Sequence, residues 1–127
     1  MRYRKLLLVL GGLAFLTLLW CSQADANKSA VSIQAPTEAP RGSEVIIRVT
    51  VTHNDNNPLH YTEWVYVMVN GKEVARWTYS AFSRPESETF TKELKYQAGD
   101  NLEIKAEASC NVHGSAGPTI SRISVKD

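Results

Sequence analysis

Cysteine is nearly absent from this chain: its 127 residues hold two, Cys21 and Cys110, with three histidines and two methionines. Charge of one sign is missing too. Fourteen Lys and Arg stand against 13 Asp and Glu, a formal net charge of +1. No basic patch and no interleaving of aromatic with basic residues marks a nucleic-acid surface, so no nucleic-acid partner is expected. The G-x-S-x-G elbow of serine hydrolases is lacking, which leaves Ser-based hydrolysis without support. Internal repeats, low-complexity tracts and a convincing helical pattern are also missing. What is present, at 43% hydrophobic residues, suits one globular domain with a modest core.

The longest apolar run lies at the amino terminus. "MRYRKLLLVLGGLAFLTLLWCSQADA" opens with Arg2, Arg4 and Lys5, continues through an apolar stretch from Leu6 to Trp20, and ends in the small residues Ala24 and Ala26. That order is the pattern of a secretory signal peptide, residues 1–26, cleaved after Ala26. The run is shorter than the roughly 20 residues that cross a bilayer, so no membrane span is expected after cleavage. Lipid attachment through Cys21 ranks behind, because bulky Trp20 occupies a position where a small residue is expected. The expected location is therefore periplasmic or secreted. Cleavage would leave 11 basic against 12 acidic residues and Cys110 as the one thiol of an exported chain. A lone thiol forms no internal disulfide, which leaves a buried inert group, an intermolecular partner, a nucleophile or a metal ligand.

Residues 27–127 read as one all-β domain. "SEVIIRVTV" (Ser43 to Val51) sets Val45, Ile47, Val49 and Val51 on one face at the period of two that marks a half-buried strand. "YTEWVYVMVNGKEVARWTY" reads as two strands joined by Asn70-Gly71, the signal of a type I′ hairpin. In "NLEIKAEASC", Leu102, Ile104, Ala106, Ala108 and Cys110 alternate with polar residues, which turns Cys110 inward at the strand's end. Further strands are expected at 30–34, 87–94 and 119–125. About seven short strands without a helix predict an immunoglobulin-like β-sandwich.

The chemistry-bearing residues are few. His53 and His60 bracket the turn-rich "HNDNNPLH", and His113 follows Cys110 by three positions in "SCNVHG". Any one of them alone is ordinary: a histidine in a polar turn is usually solvated, and a cysteine at a strand end is usually a small core residue. If strand pairing brings the two segments to one end of the sandwich, the four make a metal site. Three imidazoles and a thiolate suit zinc, copper or iron, and not magnesium or calcium. A blue-copper site would take its axial methionine after the histidine, and none follows Met68. Structural zinc with the same ligands remains open on ligand count.

"HNDNNPLHYTEW", followed about fifty residues later by "SCNVHG", resembles the superoxide reductases, known also as neelaredoxins or as the iron-centre domain of desulfoferrodoxins. "APTEAPRGSEVIIRVTV" is similar to the family's strand before the first ligand pair, so the resemblance covers nearly all of residues 27–127. It implies a mononuclear non-haem iron, with zinc or copper ranked behind it. His53, His60 and His113 would be imidazole ligands and Cys110 the axial thiolate. Superoxide would be the substrate, reduced to hydrogen peroxide, with an unidentified donor returning the electron. A second iron centre of the four-cysteine kind is excluded by the cysteine count.

The sequence departs from the family pattern at definite places. Aligning "NKSAVSIQAP" with the family's Glu-Lys-His segment puts Asn27, Lys28 and Ser29 there, so the fourth imidazole and the capping carboxylate are absent. Lys28 keeps a charge that could attract an anion, although an exposed lysine is more often simply solvated. The interval from His53 to His60 is one residue longer than usual, no proline follows His53, and "HGSAGP" lacks the family's Leu-Trp. Two readings follow: an exported oxidoreductase of the superoxide reductase type, or a non-catalytic metal-binding or interaction domain that keeps the sandwich. Trp64, in alternation with Tyr66 and Met68, is expected to pack beneath the site on the face of His60. Trp77 is expected as another core or hairpin contact, and Glu86, Glu88 and Glu93 on solvated faces.

Overall fold

The structure, a computed structural model, describes residues 27–127; the expected signal peptide, its cleavage point and Cys21 lie outside them. Strand alternation decides the architecture. β1 (Ala30–Gln34), β2 (Glu38–Pro40), β3 (Glu44–Thr52), β4 (Thr62–Val69), β5 (Lys72–Thr78), β6 (Thr89–Gln97), β7 (Leu102–Cys110) and β8 (Thr119–Lys126) form two sheets. One has the order β1-β3-β6 and the other β2-β8-β7-β4-β5. Among the described residues there is no helix, and none long and apolar enough to cross a membrane. The count is eight rather than about seven. The additional strand, β2, is three residues long and pairs in parallel with the end of β8, too short to show a period in sequence.

The two inner faces make one core. Val45, Ile47, Val49 and Val51 of β3 are buried with Val65, Val67 and Val69 of β4 and with Leu102, Ile104, Ala106 and Ala108 of β7. Burying each such Val, Leu or Ile side chain stabilises the fold by about 1.5–3 kcal/mol. Trp77 packs partly buried against this core, as expected. Asn70 and Gly71 have φ of 48° and 81°, the left-handed pair a type I′ turn requires. Asn70 also anchors the turn to its neighbour: its backbone N–H donates to the Glu103 carbonyl at 2.9 Å, and its Oδ1 accepts from the Glu103 N–H at 2.8 Å.

A bulge changes the expected face of Trp64. Thr62 lies opposite Cys110, yet Trp64 lies opposite Ser109, so Glu63 is an extra residue in β4. An extra residue inverts the alternation beyond it. Thr62 is buried, and after the bulge the inward positions pass to Val65, Val67 and Val69. Trp64 and Tyr66 therefore stand on the outer face, stacked with centroids 5.6 Å apart, and the Arg76 guanidinium caps both rings at 5.6 and 5.3 Å. The Tyr66 hydroxyl donates to Glu107 at 2.7 Å. Burial, and then that hydrogen bond, push its pKa up to about 12.

Register fixes what meets at one end of the sandwich. Ala30 pairs with Thr52, Thr52 with Thr89, and Thr62 with Cys110. The start of β1, the exit of β3, the entry of β4 and the exit of β7 thus lie at connected strand ends, and every residue singled out for metal binding leaves from them.

Candidate metal centre

Each loop at this end is closed by its own polar groups. After β7, the chain turns through Asn111, Val112 and His113. Reciprocal bonds between Cys110 and Gly114 close the turn, the Cys110 N–H donating at 2.9 Å and the Gly114 N–H at 3.1 Å. Gly114 has φ of 79°, which a side-chain-bearing residue adopts with strain. The tight turn aims two backbone donors at sulfur: the N–H groups of Val112 and His113 each lie 3.4 Å from Cys110 Sγ. Donors so placed disperse negative charge on a ligating thiolate. Cys110 itself is 3% exposed.

Between β3 and β4, the turn carrying His60 is built on Asn57. Asn57 and His60 exchange backbone hydrogen bonds at 3.0 and 3.1 Å, and Asn57 Oδ1 accepts from the N–H groups of Leu59 and His60, both at 3.0 Å. Asn111 then joins the two loops. Its Oδ1 accepts from the Tyr61 N–H at 2.9 Å, its Nδ2 donates to the Leu59 carbonyl at 3.2 Å, and its backbone N–H donates to the Tyr61 carbonyl at 3.1 Å. The residue beside the cysteine thereby sets the distance from His60 to Cys110.

The structure brings three of the four sequence-predicted residues, His53, His60 and Cys110, into one group and sets the fourth, His113, against its edge. One ligand atom from each of His53, His60 and Cys110 can be chosen so that all lie within 4.8 Å of one another. Exposed His113 joins through His60, its Nδ1 being 3.1 Å from His60 Nε2. Ring centroids are 4.6 Å apart for His53 and His60 and 4.8 Å for His60 and His113. Burial grades across the group: His53 is 3% exposed, His60 is half-buried, and His113 faces solvent.

Asp55, which the motif pattern did not single out, orients two of the rings. Its carboxylate Oδ2 is 2.8 Å from His60 Nδ1, and its backbone carbonyl accepts from His53 Nδ1 at 2.6 Å. Nδ1 of each ring is thereby engaged, which turns Nε2 toward the group, where His60 Nε2 meets His113 Nδ1 at 3.1 Å and His53 Nε2 meets the Asn27 carbonyl at 3.2 Å. This is the carboxylate–histidine arrangement common behind metal ligands. An Asp two residues after a candidate ligand, in a loop, is the signal that could have found it. The donor set fits a borderline transition metal: two imidazole nitrogens and a thiolate sulfur lie in one group, a third imidazole adjoins His60, and outer partners hold His53, His60 and Cys110.

The segment aligned with the family's missing ligand lies beside the group. Ser29 is fully buried, its hydroxyl 2.8 Å from that of Thr62 and its N–H donating to the Gly114 carbonyl at 3.2 Å. Its side chain is thus engaged with β4. Lys28 is half-buried between Asn27 and Ser29.

Comparison with known proteins agrees with this architecture. The desulfoferrodoxin family profile matches residues 22–115. No curated protein matches the chain. A superoxide reductase (neelaredoxin) from Ignicoccus hospitalis has a similar structure, with a TM-score of 0.64 at 19% identity, over 78% of this chain and 82% of that one. A candidate superoxide reductase from Thermotoga maritima gives 0.59 at 20% identity, over 77% and 86%. The sulfur carrier protein SoxY from Chlorobium limicola f thiosulfatophilum gives 0.53 at 14% identity, over 76% and 79%. The sandwich is therefore shared with proteins of other activities, and at these identities structural likeness speaks of fold alone. The profile match is the stronger finding, for it spans most of the sequence and every one of the four clustered residues: this chain belongs to the desulfoferrodoxin family.

Proposed function

We propose that this chain is an exported mononuclear non-haem iron protein that reduces superoxide to hydrogen peroxide, with His53, His60, His113 and Cys110 as the residues that hold the metal. The observation that carries the reading is the convergence of three imidazoles and one buried thiol from two separate loops, within a family whose solved members include superoxide reductases. Ferrous iron, when bound, supplies the single electron that superoxide needs. With two protons the product is hydrogen peroxide, and an external donor restores the electron.

The chain's own residues have separable tasks. Cys110 provides a soft, charge-donating ligand, and the Val112 and His113 N–H groups hold its sulfur in place. Asp55 presents His60 and His53 with their Nε2 atoms forward. The exposed His113 and Val112 leave the centre open on the solvent side, which suits a small diffusing anion, and the Lys28 ammonium adds attraction for it. Mixing the ferrous protein with superoxide in a stopped-flow instrument tests the reading. Rapid oxidation of the iron with formation of peroxide is expected. An iron-loaded protein that superoxide does not oxidise would leave only a metal-binding domain.

One observation favours that second reading. Asn27, Lys28 and Ser29 stand where the family has Glu-Lys-His, and the Ser29 hydroxyl is turned to Thr62. A centre with one imidazole fewer holds its metal less tightly, which is compatible with a storage or interaction role. Export rests on the basic, apolar and Ala-x-Ala order of residues 1–26. Intact mass of the protein from the host's exported fraction should correspond to an amino terminus at Asn27. Retention of residues 1–26, or a lipid on Cys21, would refute it.

A further inference from the structure

We propose that Trp64 and Tyr66 form a one-electron relay: an electron lost from the Trp64 indole is replaced from the Tyr66 ring, and the Tyr66 phenolic proton passes to the Glu107 carboxylate. The geometry of the pair carries the inference, while its use at this end of the sandwich rests on the metal reading above.

The bulge at Glu63 assembles the parts. It turns Trp64 and Tyr66 onto the outer face of β4, where two residues of one strand separate them and their rings stack with an interplanar angle of 19° and centroids 5.6 Å apart. Nothing stands between two rings stacked in this way, so an electron crosses directly from one π system to the other. Register supplies the rest. Tyr66 lies opposite Glu107 on β7 and opposite Arg76 on β5, so one neighbour brings a proton acceptor and the other a cation.

The acceptor is required because a phenol that has lost an electron is a strong acid. Burial, and then Glu107, hold the proton on the Tyr66 hydroxyl at rest. That hydroxyl donates to Glu107 Oε2 at 2.7 Å, the length of a charge-assisted O–H···O bond. Electron and proton can thus leave together, and no positive charge is stranded on a half-buried ring. The Arg76 guanidinium, 5.6 and 5.3 Å from the two ring centroids, opposes such a charge by itself. Glu73 offsets it through a forked pair with Arg76 at 2.8 and 3.0 Å. The charges acting on Tyr66 are therefore one guanidinium and two carboxylates, a balance that favours loss of an electron.

The relay has a direction. Trp64 lies opposite Ser109, the residue before Cys110, and Tyr66 lies further along β4 from the thiol. A one-electron oxidant of the hydroxyl-radical class, which arises where hydrogen peroxide meets a reduced metal, takes one electron from Trp64 and becomes hydroxide. Tyr66 returns an electron to the indole, leaving a neutral phenoxyl radical and a protonated Glu107. A thiolate from solution then gives the phenoxyl one electron and becomes a thiyl radical, as Glu107 hands the proton back. The oxidant is spent on the outer face of the sheet instead of on Cys110.

Pulse radiolysis tests this on the protein as isolated, before and after metal removal with a chelator. Azidyl radicals oxidise tryptophan in preference to tyrosine. The expected record is decay of the indole-radical band and growth of the phenoxyl band at one shared rate, independent of protein concentration and unchanged by metal removal. Trp64→Phe and Tyr66→Phe should each lose that shared phase. Trp77→Phe, at a ring packed against the core, should keep it, and Glu107→Gln should slow it several-fold. Circular dichroism matching the parent confirms that each variant is folded. A parent without the shared phase, or a phase that persists in folded Trp64→Phe or Tyr66→Phe, would overturn the relay and leave the metal reading standing. An unslowed phase in Glu107→Gln would overturn the assignment of the proton. The expected kinetics in a protein that binds no iron would uphold the relay and remove the metal reading alone.

Discussion

Replacing Asp55 separates orientation of the centre from its ligand count. The Asp55 carboxylate touches His60 Nδ1 at 2.8 Å and is 45% exposed, while the His60 side chain is 15% exposed. A hydrogen bond to a charged group contributes about 1.5–3 kcal/mol. Screening at a half-exposed carboxylate argues for the lower end, about 1.5 kcal/mol. That corresponds to roughly a tenfold loss of metal affinity, the low edge of the 10–100-fold range for outer partners of metal ligands. Asp55→Ala is therefore expected to weaken iron binding about tenfold, and Asp55→Asn by less, because an amide oxygen still accepts from Nδ1. The backbone carbonyl that orients His53 persists in both variants. Competition with a chelator measures affinity, and ring-nitrogen NMR of the metal-free protein reads the two tautomers. The reasoning predicts a mixed tautomer at His60 and an unchanged one at His53. An Asp55→Ala protein that binds iron as tightly as the parent, with His60 still protonated only at Nδ1, would refute it.

Cys110→Ser removes the soft ligand and should abolish the thiolate charge-transfer band, whereas Trp77→Phe should leave it in place; visible spectra of the two iron-loaded proteins check this. Asn111→Ala deletes two side-chain hydrogen bonds between the loops that carry His60 and His113. It should cost about 1–2 kcal/mol in denaturant unfolding and speed iron loss to a chelator; an unchanged rate would show that the loops hold their spacing without it. Ser29→His forces a large ring into a fully buried position against Thr62. Its expected effect is a loss of about 1–3 kcal/mol, seen as a lower thermal midpoint, rather than a gain of metal affinity. Tyr66, with its pKa pushed from 10.0 to about 12, binds its proton more tightly folded than unfolded. Its contribution to stability is therefore complete below pH 10 and is lost as pH rises toward 12. Alkaline unfolding curves of the parent and Tyr66→Phe should converge across that interval, and parallel curves would argue against it.

The sequence alone determined seven of the eight strands and named the four residues that meet at one end of the sandwich. Alternation in β3 and β7 named the inward residues, Cys110 included, because the side-chain period of a strand is a local property that needs no partner. Asn70-Gly71 announced its turn for the same reason: left-handed backbone is a property of those two residues. The spacing around His53, His60, Cys110 and His113 was enough to suggest a metal and a family. Tertiary structure decided everything that depends on pairing between distant segments. The bulge at Glu63 exists only in the register of β4 against β7, so parity counted along β4 placed Trp64 on the wrong face. Asp55 and Asn111 matter through contacts with rings and carbonyls on other turns.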